Sequence, residues 1–180
     1  MTCFTKCGNG CCPNSPRPIW VFGNCSTSND VVNPIIPTSF GFFENNLGGT
    51  VTTGSIIPVG LTSSRGGKIT ASTTTAGAVN LTPGTYEITY FVNGTIPAST
   101  TMSVGLRANG VQVAGSISTV SGTAGNQATV SKTIVLTVAS NTMLELYNTG
   151  TDSLTISNAN IVVKDCLLYT SPSPRDSTSS

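Results

Sequence analysis

The chain has no histidine among its 180 residues. That removes Ser-His-Asp and Cys-His nucleophilic sites, the commonest general base near neutral pH, and most zinc centres of catalytic type. Charge is scarce too: Lys and Arg number 8, Asp and Glu 7, for a formal net charge of +1. Nucleic acid is engaged mainly through clustered Lys and Arg at phosphates. Here the basic residues are scattered singly from Lys6 to Lys164, so no nucleic-acid partner is expected. No apolar run approaches the ~20 residues of a membrane-spanning helix, so no membrane insertion is expected either. Met1-Thr-Cys-Phe-Thr-Lys6 lacks the apolar core of a secretory signal, and Sec export is not encoded in it. Helical periodicity, internal repeats and a Gly-X-Y period are missing as well.

What remains is a chain of ordinary single-domain length. A unit of this size buries about two thirds of its unfolded surface, enough for a core that needs neither metal nor disulfide. With so few charges, its surface must be dressed in Thr, Ser and Asn, as in Ala71-Ser-Thr-Thr-Thr-Ala76. Composition divides the chain. Residues 1–48 are rich in Pro, Asn, Gly and Cys. Pro13, Pro16, Pro18, Pro34 and Pro37 stand too close together for a regular helix or a central strand, which predicts an irregular arm. Residues 49–165 alternate apolar and polar positions between turn signals and are expected to form the domain.

Thr85-Tyr-Glu-Ile-Thr-Tyr-Phe-Val92 puts Tyr86, Ile88, Tyr90 and Val92 on one face, the period of a half-buried strand. Met102, Val104 and Leu106 repeat it, and Asn109-Gly110 then leads into Val111-Gln-Val113, which predicts a hairpin with a primed turn. Further strands are expected at 55–61, 68–74, 116–120, 128–138, 142–147, 153–157 and 159–163. Eight or so short strands without helices predict an all-β fold: a two-sheet antiparallel jelly-roll sandwich preceded by the Cys/Pro-rich arm.

Residues 166–176 read CLLYTSPSPRD, which matches the translation of a transposase sequencing adapter at every residue. Residues 166–180 are therefore set aside as a disordered, adapter-derived tail, with the true C-terminus near Asp165 or missing. The alternative is a natural Ser/Pro tail, which would not pack either.

The candidate sites are few. Cys3, Cys7, Cys11, Cys12 and Cys25 lie in the arm, an odd set once Cys166 is removed. In an oxidising setting this favours inter-subunit disulfides or a free thiol. A thiolate zinc site is the other reading, but the Cys-x3-Cys-x3-Cys-Cys spacing lacks Cys-x2-Cys knuckles, and no metal or cofactor is assigned. Trp20 and Phe22, in the apolar island Ile19-Trp-Val-Phe22, are expected to dock on a sandwich, the chain's own or a neighbour's. Glu87, Glu145 and Asp152 could supply a carboxylate pair for glycoside hydrolysis. Glu87 and Glu145 alternate with apolar neighbours, so they are expected on solvated faces. Tyr86, Tyr90, Phe91 and Tyr147 could form a carbohydrate platform, but within alternating strands they read as core or interface. No catalytic residue is assigned.

Val79-Asn-Leu-Thr-Pro-Gly-Thr-Tyr-Glu-Ile-Thr-Tyr90, then Leu106-Arg-Ala-Asn-Gly-Val-Gln-Val113, and finally Ile161-Val-Val-Lys164 resemble the C-terminal heads of collagen-like exosporium glycoproteins of spore-forming bacteria. The resemblance implies a tumour-necrosis-factor-like jelly roll that trimerises, although the collagen stalk is absent. The pattern recurs in phage fibre tips. Cys11-Cys12 followed by Cys25 is similar in part to the connectors of endospore appendage subunits, whose cysteines cross-link neighbours into a fibre. The function expected is that of a non-enzymatic structural protein outside the cell, on a spore, appendage or virion, self-associating as a homotrimer or fibre. The alternative is a phage fibre or head-fibre tip that binds a cell-surface glycan.

Overall fold

The structure, a computed structural model, describes residues 39–166. The arm candidates Cys3, Cys7, Cys11, Cys12, Cys25, Trp20 and Phe22, and the tail from 167 onward, lie outside the described residues. The described residues form twelve strands and no helix: β1 (Phe40–Asn45), β2 (Gly49–Val51), β3 (Gly60–Arg65), β4 (Ile69–Ala71), β5 (Val79–Leu81), β6 (Gly84–Thr95), β7 (Thr101–Ala108), β8 (Val111–Gln112), β9 (Ser118–Ser121), β10 (Gln127–Val138), β11 (Thr142–Asn148) and β12 (Leu154–Asp165).

They pair antiparallel into two sheets. The first has the order β10-β6-β12-β1-β3, with β2 also on β12; the second has β4-β5-β11-β7-β8, with β9 also on β7. The chain changes sheet between β3 and β4, returns between β5 and β6, and keeps exchanging sheets to the end. This is the two-sheet jelly-roll sandwich the alternation predicts.

The core lies between the sheets and follows from that alternation. Tyr86, Ile88, Tyr90 and Val92 of β6 are buried, as are Ile161 and Val163 beside them on β12. Facing them are Met102, Val104 and Leu106 of β7 and Leu144 and Leu146 of β11. Each such side chain contributes roughly 1.5–3 kcal/mol by leaving water. Two buried tyrosines need partners for their hydroxyls. Tyr86 Oη donates to Thr82 O at 2.8 Å, and Tyr90 Oη donates to Ser116 O at 2.6 Å. Burial pushes the Tyr90 phenol up to about 12, because the charged form would sit in the core.

The Asn109-Gly110 hairpin forms as expected. Both residues have positive φ, 49° and 80°, as a type I′ turn requires, and the Asn109 side-chain oxygen accepts the Met143 N–H at 2.8 Å.

Three expectations are corrected. The sandwich begins earlier than residue 49, because β1 is an interior strand of the first sheet, between β12 and β3. Pro34 and Pro37 hid it, and so did its own sequence: in Phe40-Gly-Phe-Phe-Glu-Asn both faces carry Phe, so it does not alternate. Phe43 points into the core, fully buried, and its ring folds back over Gly41, where a Cβ would lie 2.6 Å from it. The runs at 153–157 and 159–163 are one strand, β12, whose register against β6 shifts between Ile156 and Asn158; that irregularity flips the side-chain alternation and looks like a break in sequence. The short strands β2 and β5 lie outside the expected runs, and the run expected at 55–61 reaches only the start of β3 (Gly60–Arg65); with β1 added and two runs merged, ten expected runs become twelve strands.

The molecule has two distinguishable ends. Asp165 N donates to Ser39 O at 2.9 Å, so both ends of the described chain lie together. Phe40 pairs with Lys164 at that end and Asn45 with Ala159 further along. The opposite end therefore carries the β1–β2 turn, the Thr95 end of β6 and the Gln127 start of β10.

Candidate functional site

With the inner faces spent on the core, chemistry is left to the outer faces and the loops. On the outer face of the first sheet, Phe42 stands opposite Val162, and Val162 opposite Thr89. Phe40 flanks this row on β1 and Phe91 lies beyond it on β6. These apolar side chains are half-buried, and Val135 on β10 is 69% exposed. All described strands belong to the two sheets, so no third layer of described strands covers this face. Its polar members pair among themselves: Thr89 with Thr133 at 2.8 Å, Thr85 with Thr137 at 3.0 Å, and Lys164 with Glu87 at 2.9 Å.

The outer face of the second sheet is different. Glu145 stands directly opposite Arg107. Arg107 Nε donates to Glu145 Oε2, its Nη1 donates to Gly54 O at 3.1 Å, and its guanidinium lies 5.2 Å from the centre of the Tyr147 ring. Tyr147 Oη in turn donates to Gln112 Oε1 at 3.3 Å. The expectation of a solvated Glu145 is thus wrong: it is only 3% exposed. It faces outward, as its alternation says, but the guanidinium tied down to Gly54 covers it.

The three candidate carboxylates are not brought together. Glu87 lies on the first outer face and Glu145 on the second, while Asp152, in the turn after β11, accepts the Ser99 N–H at 2.8 Å. The four aromatic residues disperse likewise: Tyr86 and Tyr90 in the core, Phe91 and Tyr147 on opposite outer faces. Among the described residues no cluster of His, Cys, Asp and Glu could hold a metal ion. Lys68, in the β3–β4 connection, reaches buried Asp165 at 2.9 Å, and that hydrogen bond raises the lysine above its usual value.

Two open hollows lie on the described surface. One, of about 470 Å³, lies beside the β1–β2 turn and is lined by Asn45, Thr50, Thr52, Ser55, Ile56 and Pro58 among others. The other, of about 430 Å³, is lined by residues including Thr70, Asn80, Thr82, Asn109 and Asn141.

No protein-family model matches the chain, and no curated protein matches it in sequence. Solved structures do match. Eiger TNF from S. frugiperda superposes with a TM-score of 0.59 and 14% identity, over 77% of this chain and 98% of that one. The fold is a TNF-like jelly roll. Murine APRIL at pH 5.0 gives 0.51 and 10%, over 71% and 98%. The globular domain of zebrafish complement 1qA protein gives 0.50 and 13%, over 74% and 98%. At such identity the likeness is one of architecture. The residues that sequence reasoning missed in this TNF-like jelly roll are Phe40, Phe42 and Val162, which complete the apolar face, and Arg107. The one available signal was the Phe-Gly-Phe-Phe run, whose outward rings no core requires.

Proposed function

We propose that this chain is a non-enzymatic structural protein of an extracellular surface, whose jelly-roll head self-associates as a homotrimer. Its setting is a spore-surface or appendage-like assembly, anchored or cross-linked through Cys3, Cys7, Cys11, Cys12 and Cys25. The observation that carries the reading is the outer face of the first sheet. Phe40, Phe42, Phe91, Val162 and Val135 are spread across four strands of this face, interleaved with paired hydroxyls and charges, and partly exposed apolar side chains on an outer sheet face support association there. Stable association buries about 800 Å² per partner, so the whole outer face, its paired hydroxyls included, would take part. Dispersal of the candidate carboxylates supports a non-enzymatic role. The common exit of both described chain ends supports a head held at one pole.

Light scattering on the full chain, with and without reductant, tests this reading. A trimeric mass in both conditions is expected if the sheet face assembles the head and the cysteines anchor it. Assemblies that collapse on reduction would instead make the cysteines the assembling element, as in a fibre. A reductant-insensitive monomer would remove the proposal. A second reading, a phage fibre or head-fibre tip that binds a host glycan, is favoured by one feature, the uncharged hollow beside the β1–β2 turn.

A further inference from the structure

We infer that the hollow beside the β1–β2 turn is a binding site for a neutral saccharide. The inference rests on the reading of this domain as a head held by the pole where its chain ends leave, because the hollow lies toward the opposite pole. Asn45, at the far end of β1, and Val51, on the strand paired with Leu154, both line it.

The lining sets the ligand class. No ionisable side chain contributes to it. Thr50, Thr52, Ser55 and Asn45 offer hydroxyls and an amide, and Ile56 and Pro58 offer apolar surface. That mixture matches a pyranose, which has hydroxyl edges and C–H faces, and the open hollow of about 470 Å³ has room to seat one sugar ring at its surface. No Lys or Arg lines the hollow to pair with an acidic sugar, which favours a neutral one. Arg65, Lys68 and Lys164 belong to the other end, beside Phe40 and Asp165. Arg107 reaches the Gly54 carbonyl but is committed to Glu145.

The wall is built rather than loose. The segment between β2 and β3 forms no strand, yet it is pinned along the β11 edge. Gly54 N donates to Asn148 O at 2.9 Å, Asn148 N to Ser55 O at 3.1 Å, and Ile57 N to Leu146 O at 2.8 Å. Buried Asn148 also donates from Nδ2 to Val51 O at 3.1 Å. A wall fixed before binding spares the ligand the cost of ordering it, and several copies of the head would add avidity to a weak single site.

The test uses the full chain on an array of neutral hexose and N-acetylhexosamine oligosaccharides beside sialylated and sulfated ones, with the mass of each sample measured in parallel. Three exposed positions are substituted. Ser55→Trp and Thr50→Trp fill this hollow, and Thr70→Trp fills the other one. Retention of neutral oligosaccharides by the native chain and by Thr70→Trp is expected, with at least a tenfold loss in both Ser55→Trp and Thr50→Trp. Circular dichroism identical to the native chain is required of each variant. No retention by the native chain, preference for acidic sugars, or loss confined to Thr70→Trp would overturn the site. A trimer that retains nothing overturns this inference and leaves the self-associating head. A monomer that binds through the hollow overturns self-association alone.

Discussion

The two sheets share one core but turn unlike outer faces to their surroundings. On the second sheet the polar outward side chains are partnered within the molecule, Arg107 with Glu145 and Gly54, Tyr147 with Gln112, Asn109 with the Met143 backbone, and the one large exposed apolar side chain on its described strands is Val111, at the short β8 edge. On the first, hydroxyls and charges are likewise paired, but between them stand half-buried phenylalanines and Val162, and Val135 is 69% exposed. Both faces are made from the same alternating strands. A strand needs only its inner positions for the fold, so what it places outward is free to serve something else. The second face serves to staple the 52–58 segment to the sheet, whereas the first spreads partly exposed Phe and Val over four strands, the surface on which the proposed self-association rests.

The comparison can be broken most severely by putting charge into the first face. Val162→Lys, in the middle of the apolar row, is expected to reduce a trimer to monomers by sedimentation while leaving the far-ultraviolet spectrum unchanged. Thr70→Lys on the second sheet should leave the mass as it was. Next in size is a change that ignores the distinction: Leu144→Ala empties a fully buried site shared by both sheets. It should cost about 2–5 kcal/mol in urea unfolding. The ion pairs sharpen the contrast. Glu145→Ala strips a partner from an arginine whose side chain is only 24% exposed, and should cost about 1–3 kcal/mol. It should also speed amide exchange across 52–58. Glu87→Ala breaks the exposed pair of the first face and should cost less than about 1 kcal/mol. If the two losses came out equal, the view of the second face as an internal staple would fail.

The smallest effect near neutrality comes from titration. Tyr90 is raised by burial from 10.0 to about 12, and Lys68 is raised above 10.5 by its hydrogen bond to Asp165. Both groups hold their protons more tightly folded than unfolded. Their stabilisation is complete below about pH 10 and is lost as pH rises through the folded values. Urea midpoints should therefore stay level to about pH 10 and fall steeply toward pH 12, with Tyr90 ionising only as the chain unfolds. A level midpoint across that window would contradict the burial and the pairing.

The sandwich was legible in the sequence because period-2 alternation, turn chemistry and the lack of helical pattern all agree. β6 and the Asn109-Gly110 hairpin are the clearest cases, one read from alternation and the other from the residue types that tolerate positive φ. The apolar outer face was not legible, and for a related reason. Phe40, Phe42 and Phe43 violate alternation, so residues 40–45 read as arm by pattern alone, although that violation is itself the sign of a strand with two apolar faces. Glu145 shows the opposite limit. Alternation gives the direction of a side chain but not what a cross-strand arginine and a pinned loop will lay over it. The hollow is assembled from β1, β2 and the segment after it, segments that share no motif, and sequence spacing holds no trace of it.

Hydroxyl-radical footprinting of the native full chain against its Val162→Lys variant tests the central claim most directly, because it reads phenylalanine, tyrosine and methionine side chains on both faces at once. The account predicts that Phe40, Phe42 and Phe91 are protected in the native chain and become reactive in the variant, while Met143 and Tyr147 react equally in both. Equal reactivity of the three phenylalanines in the two samples, or a change confined to Met143 and Tyr147, would contradict it.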